Sequence, residues 1–347
     1  MKLTKEKIEL NDTNKHFKYS KELKESSNSN IINDNTFCVF NSINDLSLLI
    51  YSKGNKSILL YDLNKDQIIN EIRNAHKENI TNFRHYFDKI NKRDLVISIS
   101  FEDNTIKLWN VYNCECLLEL NNINKKGNIH SSCFLNYKNQ IYILTSNFII
   151  FGKPELIKVY DFDGNKIKEI NDSNNYILFI DTYYDSKLSK TYIITGNDEE
   201  NIKSYDYENN KKYYEYKCNF NYRCPSIIIY NNREGTIHLI GSINKVLENG
   251  YIGIWNFHKG ELIKIINLEF EEVCGICLSD YDNLFIGGKD GNIKKIDIKK
   301  GIIVNFFKAH KEEIATIKKI NHPYYGNVLI SQAYEENGKI KLWINKN

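Results

Sequence analysis

The sequence predicts an all-β chain closed into a single seven-bladed β-propeller of four-stranded antiparallel blades. Three observations predict it: one strand ending that recurs seven times, the near-constant distance between its copies, and a last unit that lacks its final strand. The composition agrees. Tyr 24, Phe 17 and Trp 3 bring aromatics to 13% beside abundant Ile and Leu, which suits many short half-buried strands, and only 3 Pro are present to interrupt them.

The clearest unit is DLVISISFEDNTIKLWNVYNCECLLEL, residues 94–120. It reads as an apolar strand, a polar turn, an alternating strand ending in Trp109-Asn110, a second turn and a short last strand. Ile106 and Leu108 alternate with Thr105 and Lys107, the period of a strand with one buried face. The ending returns as Tyr61-Asp62, Tyr160-Asp161, Tyr205-Asp206, Trp255-Asn256, Ile296-Asp297 and Trp343-Ile344, with 41 to 51 residues between successive copies. A four-stranded blade takes roughly 40 to 45 residues, so loop insertions supply the excess.

Six of the endings are followed by a turn and a short outer strand, and the seventh is not, because the sequence ends at Asn347. An unpaired edge would leave a row of backbone donors and acceptors open. The segment HFKYSKEL, His16 to Leu23, is therefore expected to complete the seventh blade and close the ring. Residues 1–14 are expected to be a flexible N-terminal segment, and residues 15–347 the propeller.

Lys+Arg 47 against Asp+Glu 44 leaves a net charge of only +3, without the basic stripe of a phosphate-tracking surface, so neither nucleic acid nor a membrane is an expected partner. An apolar leader is missing, as is any apolar run of about 18 residues. A cytoplasmic or nuclear chain is expected, its eight cysteines reduced.

Ala75-His76, Ser98, Asp103 and Trp109-Asn110 follow one another in the order that defines a WD40 repeat, and with the seven endings the chain resembles the WD40-repeat propeller family over nearly its whole length. The seventh unit matches through Ala309-His310, Ser331 and Trp343, and His and Trp are 33 residues apart in both units. The resemblance implies that His76, Ser98, Asp103 and Trp109 form a buried structural relay, with His310, Ser331 and Trp343 as its counterpart. It also implies a non-catalytic scaffold that binds a protein or peptide at the channel mouth, near the start of the inner strands. Those positions are Thr81, Ser131, Cys274 and Ala315, with Glu102 and Lys289 in nearby hairpins. The protein is expected to be monomeric on its own or part of a larger complex.

Other chemistries fit less well. His76, Ser98 and Asp103 contain the ingredients of a triad, but the relay uses the same three. Cys274/Cys277 and Cys114/Cys116 lack the further ligands of a zinc site, and residues three apart on a strand point to opposite faces. No metal or cofactor is expected, and no catalytic residue is assigned. Two alternatives are a hydrolase-type propeller, with acids converging on the channel mouth, and an RNA- or phospholipid-binding propeller with a basic edge around Lys294-Lys295 and Lys299-Lys300. The paired-arginine motif of phosphoinositide-binding propellers is not matched by its nearest fragments, Asn82-Phe83-Arg84-His85 and Tyr222-Arg223-Cys224-Pro225.

Overall fold

Alternation along each strand produces a sheet with two apolar faces. In blade two, Leu95, Ile97 and Ile99 pack toward the following blade, whereas Val96 between them packs toward the preceding one. A sheet buried on both sides cannot stand alone. The computed structural model describes residues 17–23, 36–54, 56–121, 127–149, 156–171, 177–197, 201–218, 224, 226–244, 249–268, 272–334 and 339–345. Its strands form seven four-stranded antiparallel sheets, and no helix occurs among the described residues, so none is long and apolar enough to cross a membrane. Residues 1–14 lie outside the described residues.

Blade one runs from its inner strand Phe37–Asn41 to its outer strand Gln67–Ile72, and blade two from Ile80–Asp88 to Glu115–Asn121. Blade three spans Gly127–Tyr137 to Lys166–Asn171, and blade four Ile177–Asp185 to Lys211–Tyr216. Blade five spans Ile227–Asn231 to Leu262–Asn267, and blade six Val273–Leu278 to Ile302–Lys308. Blade seven has Ile314–His322, Gly326–Ala333 and Ile340–Asn345, and its outer strand is Phe17–Leu23 from the other end of the chain.

That borrowed strand reproduces the geometry of the six native ones. Every outer strand carries one extra residue at the step into the recurring strand-end position: Ile69, Leu117, Ile167, Tyr213, Ile263 and Val304 in blades one to six. In blade seven Tyr19 pairs with Trp343 and Lys21 with Leu342, which leaves Ser20 as the extra residue at the same step. Such a bulge bends the strand and raises its local twist. Leu23 then joins the core shared by blades seven and one, and the Phe17 ring packs between Phe285 and Phe307 of blade six.

The Asp or Asn after the strand-end aromatic has a local cause. Its side-chain oxygen accepts backbone amides of the following turn: Asp62 from Asn64 and Lys65, Asp161 from Asp163 and Asn165, Asp206 from Asn209. Asn256 accepts from His258 and Lys259, Asp297 from Lys300, and Asn110 from Tyr112. These are Asx turns, for which Asp and Asn are the suited residues. In blade seven the residue at this position is Ile344.

Seven apolar clusters close the ring, each shared by two neighbouring blades, the last joining blade seven to blade one. The seven strand-end residues occupy equivalent places in them, each facing the preceding blade, from Tyr61 against blade seven to Trp343 against blade six.

Leu23→Ala is expected to lower unfolding free energy by about 2–4 kcal/mol through the cavity left between blades seven and one, read by urea denaturation. Removing residues 1–23 exposes the edge of Ile340–Asn345, and size-exclusion chromatography should then show association or aggregation in place of the parent's elution.

Candidate functional site

Blade two builds a continuous buried chain of hydrogen bonds. The Trp109 indole N–H donates to Ser98 Oγ at 2.8 Å, and Ser98 Oγ meets His76 Nε2 at 2.6 Å. His76 Nδ1 lies 3.6 Å from Asp103 Oδ2, too far for a hydrogen bond, and reaches the carboxylate through Thr105, whose hydroxyl is 2.8 Å from Nδ1 and donates to Asp103 Oδ1. Asp103 Oδ2 also accepts the Lys77 amide at 3.0 Å, which fastens the inter-blade loop. Burial raises the Asp103 carboxyl, but His76, Thr105 and the Lys77 amide outweigh it and hold the group well below the usual carboxylate range. Blade seven repeats the first two links, with Trp343 Nε1 to Ser331 Oγ at 2.9 Å and Ser331 Oγ to His310 Nε2 at 2.8 Å.

Elsewhere the relay is replaced. Blade five has Gly241 at the position of Ser98, and its fully buried Trp255 donates instead to the Lys217 carbonyl at 3.0 Å. The indole lies so close over Gly253 that a Cβ there would stand 2.1 Å from Trp255 Cη2, which is why this strand can hold only glycine at that point. Thr105 escaped the sequence reading, although a Thr two residues after the hairpin Asp was the available signal.

The positions expected to bind a partner divide by burial. Thr81, Ser131, Cys274 and Ala315 are all 2% exposed or less, so of the six only Glu102 and Lys289 present side chains to solvent. Five inner strands carry a bulge near their start, and Thr81, Cys274 and Ala315 are its extra residue in blades two, six and seven. In blade three the extra residue is His130, one before Ser131, so Ser131 is out of step with the other three. Thr81 Oγ1 donates to the Ile99 carbonyl at 3.3 Å, Cys274 Sγ contacts Glu313 Oε1 at 2.7 Å, and the Glu102 carboxylate takes a long hydrogen bond from Asn79. Three of the buried positions thus serve the bend of the inner strand rather than a surface.

The other half of the inner strands builds a different feature. By register each inner strand places one residue at the same level: Cys38, Arg84, Cys133, Asp181, Ile228, Cys277 and Lys318, from blade one to blade seven. Five of them line one cavity of about 670 Å3, together with Tyr86, Phe87, Lys89, Phe134 and Tyr184, toward the face that carries the inner hairpin turns. Arg84 spans the channel from blade two to blade four, its guanidinium 5.0 Å over the Phe179 ring and Nη2 donating to the Ile180 carbonyl at 3.4 Å. Next to it His85 is held by Asp94 at 2.7 Å and stacks on Phe40 at 3.6 Å.

Burial pushes the Cys38 thiol up to about 12 against the pull of Lys318 and Arg84, and the Cys277 thiol to about 12 against Lys318 and Lys319. The Cys133 thiol is also raised by burial and by Asp181, with Arg84 opposing. These thiols are protonated and unreactive at neutral pH. Asp181 is the one carboxylate among the described residues lining this cavity. The signal in the sequence was a cation in the middle of an inner strand, as at Arg84 and Lys318.

The basic edge is not continuous. Lys294 is buried, its ammonium 2.8 Å from Asp290 and its pKa lowered by desolvation against that pairing, while Lys300 sits near Asp297 at 3.7 Å. Cys114 is not on a strand face with Cys116; it lies in the turn before the outer strand with φ of 58°, because closing that turn needs a left-handed residue. Cys274 and Cys277 share an inner strand, where Cys274 touches Glu313 and Cys277 belongs to the core between blades six and seven. Among the described residues no group of three His, Cys, Asp or Glu side chains could hold a metal ion. No model of a known protein family matches the chain, and no curated protein sequence matches it.

Trp109→Phe and Asp103→Ala are each expected to lower stability by about 1–3 kcal/mol, since either leaves a buried polar partner unsatisfied; thermal or urea melts measure it. Because the folded-state pKa of Asp103 is depressed, its contribution is fully present above the ordinary carboxylate value near 4 and is lost as pH falls toward the folded value. Between roughly pH 5 and pH 2 the parent should therefore lose more stability than Asp103→Asn, in urea titrations at each pH.

Proposed function

We propose that the protein is a non-catalytic interaction scaffold of the WD40 kind, which holds a protein or peptide partner on the face formed by the inner hairpin turns. The observation that carries this reading is where large apolar side chains are exposed. Among the described residues they fall into two sets. One is spread round the outer strands, as with Ile68, Ile167 and Val304. The other sits at or beside the inner hairpin turns of blades one, two, four, six and seven: Ile43, Ile90, Tyr184 with Leu188, Tyr281, and Tyr324 with Tyr325, the last pair 78% and 53% exposed.

Aromatic side chains exposed at the turns of one face are the composition of an interface, since they offer large contact area at small entropic cost. Seven shared cores make the ring a rigid base for them, so that binding orders little of the protein. The relays in blades two and seven support the WD40 kinship, and a channel mouth with three cations and one carboxylate supports binding over hydrolysis, which would call for converging acids. The eight cysteines are unpaired, which supports action in the cytoplasm or nucleus.

Affinity purification with mass spectrometry is expected to recover a protein partner in stoichiometric amount from the intact chain, and none from the chain lacking residues 1–23. Recovery of a lipid or a turned-over small molecule with no protein overturns the reading.

A further inference from the structure

The seven-membered level in the channel is unusual in its order. Around the ring it runs Cys277, Lys318, Cys38, Arg84, Cys133, Asp181 and Ile228, so that the strand positions of two cations flank that of one small side chain, Cys38, and the one carboxylate, Asp181, stands outside that arc. Lys318, Cys38 and Arg84 line the same cavity. Lys89 adds a third cation at the mouth of the same cavity. Arg84 is braced by Phe179 and the Ile180 carbonyl, so its charge is held in place before any ligand arrives. A volume of about 670 Å3 suits a few side chains of a peptide, as in pockets of roughly 300–1,000 Å3 generally.

We propose that this cavity receives a carboxylate-bearing segment of the partner, an acidic side chain entering the channel between Lys318 and Arg84 while neighbouring apolar residues rest on Phe134 and Tyr184. The inference rests on the interaction-scaffold reading and specifies its site and chemistry. The complementarity is both electrostatic and apolar. The arc offers cations in a partly desolvated mouth, where a carboxylate gains more than at an open surface, and Phe134 and Tyr184 beside it offer the apolar rim.

The test is fluorescence anisotropy with a fluorescein-labelled, C-terminally amidated peptide alternating Glu with Phe and Leu. The full chain should bind it, and the same peptide with Gln for Glu should bind about ten-fold or more weakly. Lys318→Glu and Lys89→Glu should each weaken the Glu peptide by about ten-fold or more, and a Lys-for-Glu peptide should regain affinity on Lys318→Glu, a reversal that misfolding cannot produce. Lys77→Glu, on the opposite face, should change nothing.

Equal affinity for the Glu and Gln peptides, or indifference to both charge reversals, overturns the proposal. Preferential binding of phosphatidylserine vesicles or inorganic phosphate over the peptide overturns it as well. If the peptide fails while affinity purification still returns a stoichiometric partner, only the assignment of this site falls; if neither is found, the scaffold reading falls with it.

Discussion

The structure depends on each blade being buried on both of its faces by its neighbours. Alternation along a strand sends odd and even residues into two different cores, as Leu49 and Tyr51 enter the core with blade seven while Leu48 and Ile50 enter the one with blade two. Such a sheet has no solvated face, so an open array of blades would leave an apolar surface at each end. Closure is therefore part of the stability of every blade, and the strand Phe17–Leu23 matters beyond its own hydrogen bonds: it supplies the missing edge, and through Leu23 part of the seam where first and last blades meet.

Within that frame the polar devices have separate jobs. The strand-end Asp and Asn residues cap turns, the buried His, Ser and Trp of blades two and seven tie an inter-blade loop to the sheet behind it, and Thr105 fills the gap between His76 and Asp103 that neither side chain bridges alone. Blade five shows that the relay is one solution among several. There the same wedge between blades is filled by an indole lying over two glycines, with the N–H satisfied by a main-chain carbonyl. What is constant is the need to fill the volume and satisfy the donor.

The channel is polarised along its length. Where the inner strands begin, bulges turn Thr81, Cys274 and Ala315 into the packed interior. Where they end, register brings cations, thiols and aromatics together around an opening lined by Phe134 and the exposed Tyr184. A partner that reads shape and charge finds more to grip at the second end, which places the candidate site on the opposite side of the ring from the one the family resemblance points to.

The seven endings, their spacing and the absent last strand determined the number of blades and the origin of the closing strand, because these depend on local features, turn chemistry and alternation, that repeat within about fifty residues. His76, Ser98 and Trp109 were legible for the same reason. Thr105 was not, since its role appears only when His76 and Asp103 are found to stand 3.6 Å apart. The tier of Cys38, Arg84, Cys133, Asp181 and Lys318 belongs to tertiary structure altogether. Its members come from five separate blades and share a level only through strand register and the curvature of the closed ring, neither of which any single stretch of the chain contains.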